Sequence, residues 1–366
     1  MSLTIVPVAG CNMGCTGCYE GEIFRRNGNK PLPYNLEAIK AKIKSGPRGN
    51  AALHGGEITL MPVPHIEELC AALSEDGRTI SMQTNGSLIT PALLEVLKRY
   101  KVTVGVSLNG PAVLNRDRRA SPHTSKIPEE ILIKATDKLT ERIEDNVFRM
   151  LDVGVEVGII TVLSQTNAGS GGMVQTLSEW GLWMEAKGVF SHRWNLLHQD
   201  FDVPQVELTP EQALYVYQKL TDLTFENSKR LWYPFRTMFK SIDGGSVQDC
   251  WFAPCDPYAT QAVHTVLADG GEGNCMRTSK DGIPYLRAED GEQHHRQDLL
   301  MAIPMADGGC EGCPWWKVCH GGCPGEAVGG DWRNKTRFCK TFIGTYEHLV
   351  DKRRAFNADW NPRLPA

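Results

Sequence analysis

Leu3-Thr4-Ile5-Val6-Pro7-Val8-Ala9-Gly10-Cys11-Asn12-Met13-Gly14-Cys15-Thr16-Gly17-Cys18-Tyr19 is the stretch from which the fold is read. Its apolar first half predicts a buried strand over Leu3–Val8, which opens into a loop holding three thiols within eight residues. α/β folds carry their chemistry at the C-terminal ends of strands. Soft thiolates on one loop converge on zinc or on an iron–sulfur cluster. A closed structural site takes four ligands, and a fourth is missing nearby. A zinc knuckle, or three unrelated buried thiols, is the alternative reading.

Outward from this loop, strand-like and helix-like stretches alternate. Strands are predicted at Leu3–Val8, Ala51–His54, Thr79–Thr84, Val102–Leu108, Val155–Ser164 and Val189–Leu197. Amphipathic runs lie between them at Leu36–Lys44, His65–Ser74, Pro91–Tyr100, Pro128–Asp152 and Met173–Lys187. Such alternation makes a parallel sheet with right-handed crossovers. Six units are too few to close an eight-stranded barrel, so an open, partial (β/α)6 barrel is expected. Thr209-Pro210-Glu211-Gln212 then reads as an N-cap with Pro at N1.

The predicted strand ends carry polar and glycine-rich turns. The second is followed by His54-Gly55-Gly56-Glu57, where paired glycines allow close backbone approach and a carboxylate can accept from an ammonium group. The third ends Gln83-Thr84-Asn85-Gly86, and the fourth Ser107-Leu108-Asn109-Gly110-Pro111. The sixth, Ser191-His192-Arg193-Trp194-Asn195-Leu196-Leu197-His198, is more polar than a buried parallel strand usually is. Arg193, Asn195 and His198 are therefore candidates for facing a substrate, against the alternative of a wetted edge strand.

The other cysteines form a second group. After Cys250 and Cys255 come fourteen residues, Gly270, four more residues and Cys275; then Cys310, Cys313, Cys319, Cys323 and Cys339. Val266–Gly270 has the look of a hairpin turning at the glycine. Cys70 shares a helical face with Ile66, Leu69 and Leu73 and reads as core.

The C-x3-C-x2-C spacing with its following aromatic resembles the radical SAM superfamily signature, and the second group resembles the SPASM extension of those enzymes. The resemblance implies a partial barrel with a C-terminal cysteine-rich SPASM domain holding two auxiliary clusters, three [4Fe–4S] clusters in all. It puts Cys11, Cys15 and Cys18 on a cluster whose fourth iron chelates S-adenosylmethionine (SAM). It assigns Cys250, Cys255, Cys275 and Cys323 to one auxiliary cluster and Cys310, Cys313, Cys319 and Cys339 to the other. By the same resemblance the Gly55-Gly56-Glu57 segment binds the amino group of the methionine moiety. Ser107 and Asn109 lie by its ribose or carboxylate, Arg119 pairs the carboxylate, Ile160 lies near the adenine, and Tyr19 near cluster and adenine. Thr84 and Asn85 complete the cofactor set. The implied domains are a barrel over 1–208, a helical connector over 209–245, the SPASM domain over 246–345 and a C-terminal helix or tail over 346–366.

The implied chemistry is reductive cleavage of SAM to a 5′-deoxyadenosyl radical that removes a substrate hydrogen, fed by a flavodoxin- or ferredoxin-type donor. The leading expectation is oxidation or crosslinking of a ribosomally made peptide. With the first cysteine at residue 11 no leader-binding domain is expected in the chain, so a separate leader-binding protein or the barrel mouth would recognise the peptide. A small-molecule radical oxidoreductase in natural-product biosynthesis is the alternative. Sulfatase maturases usually carry an acidic residue where this chain has Met276, which counts against that activity. An iron–sulfur electron carrier would not need the Gly-Gly-Glu, Ser107 and Arg119 set. Bulk properties fit these readings: 366 residues suit about two domains, and a net charge of −4 gives no general attraction to nucleic acid or anionic membrane. With no 18-residue apolar run and no signal segment, a cytoplasmic, reducing location is expected.

Overall fold

The computed structural model describes residues 2–18, 33–198, 206–228, 232–244, 250–256, 263–273, 275–279 and 295–355. They fall into two compact units, Met1–Glu207 with Val263–Met276, and Leu208–Ala262 with Arg277–Ala366.

In the first unit the period-two and period-3.6 patterns resolve as expected. Strands β1 (Ser2–Val8), β2 (Asn50–Gly55), β3 (Thr79–Thr84), β4 (Thr103–Ser107), β5 (Val157–Leu163) and β6 (Ser191–Leu196) are each parallel to the next. Between them run α1 (Leu36–Ser45), α2 (Val63–Glu75), α3 (Pro91–Arg99), α4 (Glu129–Asp152) and α5 (Gly171–Ala186). Helix starts follow local chemistry: Asn35 caps α1 by accepting from Ala38 N–H, and Thr90 caps α3 by accepting from Leu93 N–H ahead of Pro91. Each helix buries one stripe, such as Ile66, Leu69, Cys70 and Leu73 on α2.

The sheet does not stop at β1. A hairpin, β7 (Val263–Leu267) and β8 (Glu272–Gly273), turns at Gly270 as expected, and β7 lies parallel beside β1. The order is β6-β5-β4-β3-β2-β1-β7-β8, an open partial barrel in which β1 is an interior strand. Although these residues lie among the second cysteine group in sequence, they complete the first unit's sheet.

One face of the sheet is sealed and the other is not. Ile80, Met82 and Thr84 on β3, Val104 and Val106 on β4, and His192, Trp194 and Leu196 on β6 are buried. Trp180 of α5 meets the His192 ring edge-on, with centroids 5.7 Å apart, and burial pushes that imidazole down to about 3, so it is a neutral core residue. The alternate residues, Gln83, Ser107, Ile160, Arg193 and Asn195 among them, are half-buried on the opposite face. Register aligns Ser107 with Ile160 and Ile160 with Arg193, so the three form a row across β4, β5 and β6.

The second unit is built on α6 (Pro210–Asn227), α7 (Phe235–Ile242), α8 (Arg296–Met301) and α9 (Cys339–Ala355). The expected cap of α6 is a full capping box: Gln212 N–H donates to Thr209 Oγ1 and Thr209 N–H to Gln212 Oε1. Tyr346 of α9 stacks on Trp315 at 5.1 Å and donates its hydroxyl to Val318 O, which fastens the loop between Cys313 and Cys319 to an aromatic core that includes Phe252 and Phe342. No described helix is long and apolar enough to cross a membrane.

Candidate metal centres and ligand site

The thiol loop after β1 is fastened on two sides. Gly14 N–H donates to Arg119 O at 3.1 Å and Thr16 N–H to Asp117 O at 2.8 Å, holding the loop against the segment 117–121. On the other side Gly56 N–H reaches Val8 O and Glu57 N–H reaches Gly10 O, both at 2.9 Å. A Cβ at Gly56 would stand 2.0 Å from Gly10 O, so the glycine is required by the approach of β2's end to the cysteine loop itself.

Glu57 is fully buried and completely engaged. Its Oε1 accepts from Thr84 Oγ1 (2.6 Å), Thr59 Oγ1 (2.6 Å) and Thr59 N–H (3.0 Å), while Oε2 accepts from Asn85 N–H (2.6 Å). The carboxylate braces the end of β3 onto the end of β2, a role its sequence position did not disclose. Asn85 then donates through Nδ2 to Asn12 Oδ1 at 2.8 Å and approaches Cys11 Sγ at 3.7 Å, and Asn12 donates to Ser87 Oγ. Thr84 and Asn85 thus tie β3 to the thiol loop.

Burial raises the Cys11 thiol to about 11, with Cys15 and Glu57 adding to the rise and Met13 N–H and Arg118 opposing it. Cys15 is pushed up by burial, then by Asp117 and Glu57, and again opposed by Arg118. Arg118 is therefore the cation that both thiols feel, and its Nε is buried with no hydrogen-bond partner among the described residues. Arg119, which the resemblance puts on the SAM carboxylate, is ion-paired with Glu129. The sequence Arg116-Asp117-Arg118-Arg119 gives no sign of which guanidinium turns toward the loop; the backbone bonds at Asp117 and Arg119 decide it.

Asn109 also has a different occupation from the expected ligand contact. It donates to Asp117 at 3.1 and 3.2 Å and accepts from Val162 N–H at 2.9 Å, joining β4, β5 and the 117–121 segment. Ser107 remains on the open face, where Gln83 Nε2 lies 3.5 Å from its Oγ. His54 donates to Gln83 and its Nδ1 accepts from Gly55 N–H at 2.7 Å, and burial holds its imidazole below the ordinary value. His54, Gln83 and Ser107 thus make a neutral polar row across β2, β3 and β4. Of the three substrate candidates, Arg193 and Asn195 are on this open face, and Asn195 Oδ1 is buried without a hydrogen-bond partner among the described residues. His198 is apart from them, nearly buried, with Nδ1 3.8 Å from Glu207 Oε1. Tyr19 lies outside the described residues.

In the second unit Cys310, Cys313, Cys319 and Cys339 are brought together. Cys319 is raised to about 12 by burial and by Cys339, Cys310 and Cys313; Cys310 to about 11 by burial, Cys339 and Cys313. Cys339 is raised by burial and by Cys313, against Lys335. Cys319 is followed by three successive left-handed residues, His320, Gly321 and Gly322 (φ 50, 77 and 71°), which turn the chain sharply before the buried Cys323. Cys255 is half-buried and Cys250 exposed, while Cys275 follows β8 in the first unit.

The donor chemistry fits iron–sulfur ligation at both places. All eleven thiols are free of disulfides, and soft sulfur ligands select such clusters. Among the described residues, no three His, Cys, Asp or Glu side chains are arranged around a single metal ion. One zinc would draw its sulfurs to about 3.8 Å of each other, from Zn–S bonds of about 2.3 Å. Because thiols must lose protons to bind metal, and Cys11, Cys310 and Cys319 sit at about 11 to 12, iron loading releases protons. Raising the reconstitution pH from 7 to 8.5 is expected to increase the rate of iron uptake several-fold, measured by absorbance near 400 nm; a pH-independent rate would contradict it.

Residues 5–166 match the Radical SAM superfamily. An uncharacterised protein of Synechocystis is 32% identical over 130 residues, 32% of each chain. The cysteine-type anaerobic sulfatase-maturating enzyme of Clostridium perfringens is 28% identical over 131 residues, 32% of this chain and 35% of its own. The chain thus spans about a third of the curated relatives it matches. In overall fold it is similar to anSMEcpe, solved with AdoMet and the Cp18Cys peptide (TM-score 0.69, 19% identity, 97% of this chain and 99% of that one). It is also similar to Streptococcus suis SuiB (TM-score 0.58, 16% identity, 92% and 76%). With its three-thiol loop at the end of β1 and the match over residues 5–166, the first part of the chain is similar to the radical SAM superfamily.

Proposed function

We propose that this chain is a radical SAM oxidoreductase with three [4Fe–4S] clusters that oxidises or crosslinks a side chain of a peptide substrate. When bound, the three-thiolate cluster and SAM supply a 5′-deoxyadenosyl radical for hydrogen abstraction, and two fully ligated clusters supply a route for the electron left on the product. The chain's own residues orient and shield. Arg118 offers the cationic group beside the thiol loop for the SAM carboxylate, and Asn85 with Asn12 steadies Cys11. Ile160 and Ser107 form the face against which the nucleoside packs, and Arg193 and Asn195 extend it toward substrate.

The observation that carries the reading is the arrangement at the strand ends, where one unit holds a loop of half-buried thiols, a guanidinium Nε with no partner among the described residues, and a half-buried polar face. Support for a peptide comes from the similar solved structures, one holding the Cp18Cys peptide and another, of SuiB, its precursor peptide SuiA. A separate leader-binding protein and a flavodoxin- or ferredoxin-type donor complete the proposal, in a cytoplasmic, reducing compartment where thiols persist. Met276 after Cys275 weighs against sulfatase maturation. A second reading, oxidation of a small polar molecule in natural-product biosynthesis, is favoured by the buried Asn195 Oδ1 on the polar sixth strand, which has no hydrogen-bond partner among the described residues.

The test is anaerobic reconstitution followed by reduction with SAM present. About twelve irons per chain (three four-iron clusters) and 5′-deoxyadenosine formation are expected; zinc without iron, or no SAM cleavage with any donor, would end the proposal. Peptides and small polar metabolites offered in turn separate the two substrate readings by which one stimulates cleavage. Within this assay Arg118→Gln is expected to raise the KM for SAM about 10- to 100-fold, the loss of a charged hydrogen bond of about 1.5–3 kcal/mol. Arg119→Gln should change it less than about 3-fold, since exposed ion pairs contribute little. The reverse order would return the carboxylate to Arg119.

A further inference from the structure

The second unit buries an arginine that the chemistry proposed above does not use. Arg296, at the start of α8, is fully buried, yet among the described residues its guanidinium forms no ion pair with a carboxylate. All five of its N–H donors instead meet backbone carbonyls. Nε donates to Trp332 O (2.8 Å), Nη1 to Gly322 O (3.0 Å) and His320 O (3.5 Å), and Nη2 to Gly321 O (3.1 Å) and Asn334 O (2.9 Å). Its backbone N–H is taken by the buried carboxylate of Asp256 at 2.6 Å, next to Cys255. One side chain therefore fastens the left-handed turn between Cys319 and Cys323, the stretch before Cys339, and, through its own backbone, the residue after Cys255.

Hydrogen bonding satisfies this guanidinium but does not neutralise it. A buried, uncompensated charge is costly by several kcal/mol. Burial disfavours the charged form here, and the groups that favour it are Cys323, Cys255, Cys310 and Cys319, in that order. These four sulfurs come from both cysteine sets assigned to the auxiliary clusters. Thiolate-bound iron is anionic, so filling either set supplies the countercharge that the protein part lacks.

We infer that Arg296 is a positioning residue shared by both thiolate sets, clamping the Cys319–Cys323 turn and providing the fixed positive charge that sets how readily the clusters there accept an electron. This rests on the iron–sulfur reading of the second unit given above. Reduction adds negative charge, so a nearby fixed cation favours the reduced form, and removing it lowers the midpoint potential. Arginine suits the position where lysine would not, because only the planar fork reaches five acceptors at once.

The experiment compares the full chain with Arg296→Met and Arg296→Lys, each reconstituted anaerobically, by iron and sulfide content and by an EPR-monitored redox titration. In Arg296→Met the midpoint of at least one auxiliary cluster is expected to fall by a tenfold shift in the reduction equilibrium, about 59 mV for one electron. Arg296→Lys keeps the charge and should stay within a third of that shift while losing auxiliary iron faster to a chelator, since three donors replace five. Unchanged midpoints in Arg296→Met, or wild-type iron retention in Arg296→Lys, would overturn the inference. Should Arg296→Met prove insoluble, the lysine variant's retention decides alone. Failure of the underlying reading looks different: the unmutated chain would then hold only about four irons and show no auxiliary signals.

Discussion

Cys15→Ala is expected to reduce SAM cleavage to background and to lower bound iron by about a third. The thiol sits in the middle of the loop, between the Gly14 and Thr16 N–H bonds to the 117–121 segment, so the loop's course does not depend on the sulfur. Alanine at this position removes a ligand and little else. A four-iron cluster on two remaining thiolates is not retained, and the eight cysteines of the second group keep theirs. Cys70→Ala is the matched control. That thiol is completely buried on α2 and pushed to about 12 by burial, with Glu67 adding to it. Its loss should cost about 1 kcal/mol of packing and leave iron and cleavage intact. Iron analysis with chromatographic detection of 5′-deoxyadenosine makes the comparison. Cleavage surviving in Cys15→Ala, or iron lost equally from Cys70→Ala, would refute the assignment of the three-thiol loop.

Glu57→Ala should produce the largest loss of stability of any single change at the site, about 3–5 kcal/mol. Four donors converge on this carboxylate at 2.6 to 3.0 Å in a fully buried setting. Truncation leaves all four without an acceptor, each charged hydrogen bond being worth about 1.5–3 kcal/mol and the contributions overlapping. For a unit of this size that corresponds to a fall of about 6–20 °C in the melting temperature. Glu57→Gln keeps the shape but turns an amide N–H₂ toward donors, so it should recover only part of the loss. Because Asn85 carries the effect onward to Cys11, SAM affinity should fall alongside stability. Thermal unfolding followed by circular dichroism is the measurement; a drop under about 2 °C would show that the brace is dispensable.

Much of this was readable from the chain because spacing alone determines it. Cysteines separated by three and two residues after an apolar run read as one loop, and alternating strand-like and helix-like runs read as a parallel sheet. The capping box at Thr209–Gln212 needed only four residues of context. What the sequence hid depends on which side of a segment faces inward. Arg118 and Arg119 are neighbours of identical chemistry, and only the two backbone bonds to the thiol loop turn one toward the sulfurs and leave the other to Glu129. Asn109 and Glu57 were visible as polar residues at strand ends, but Val162, a partner of the first, and Thr84 and Asn85, partners of the second, are distant in sequence. Arg296 had no sequence signal at all, since its acceptors are carbonyls and any residue can offer those.

The return of β7 to the flank of β1 has a consequence for how the molecule is made. Strand β1 leads into the loop of the first three cysteines, yet its second neighbour is synthesised some 260 residues later. Until that segment leaves the ribosome, the strand that carries the reactive loop presents an unpaired edge, the kind of surface on which nascent chains misassociate. A product that ends before Val263 would therefore leave the β1 edge beside the thiol loop without its β7 partner.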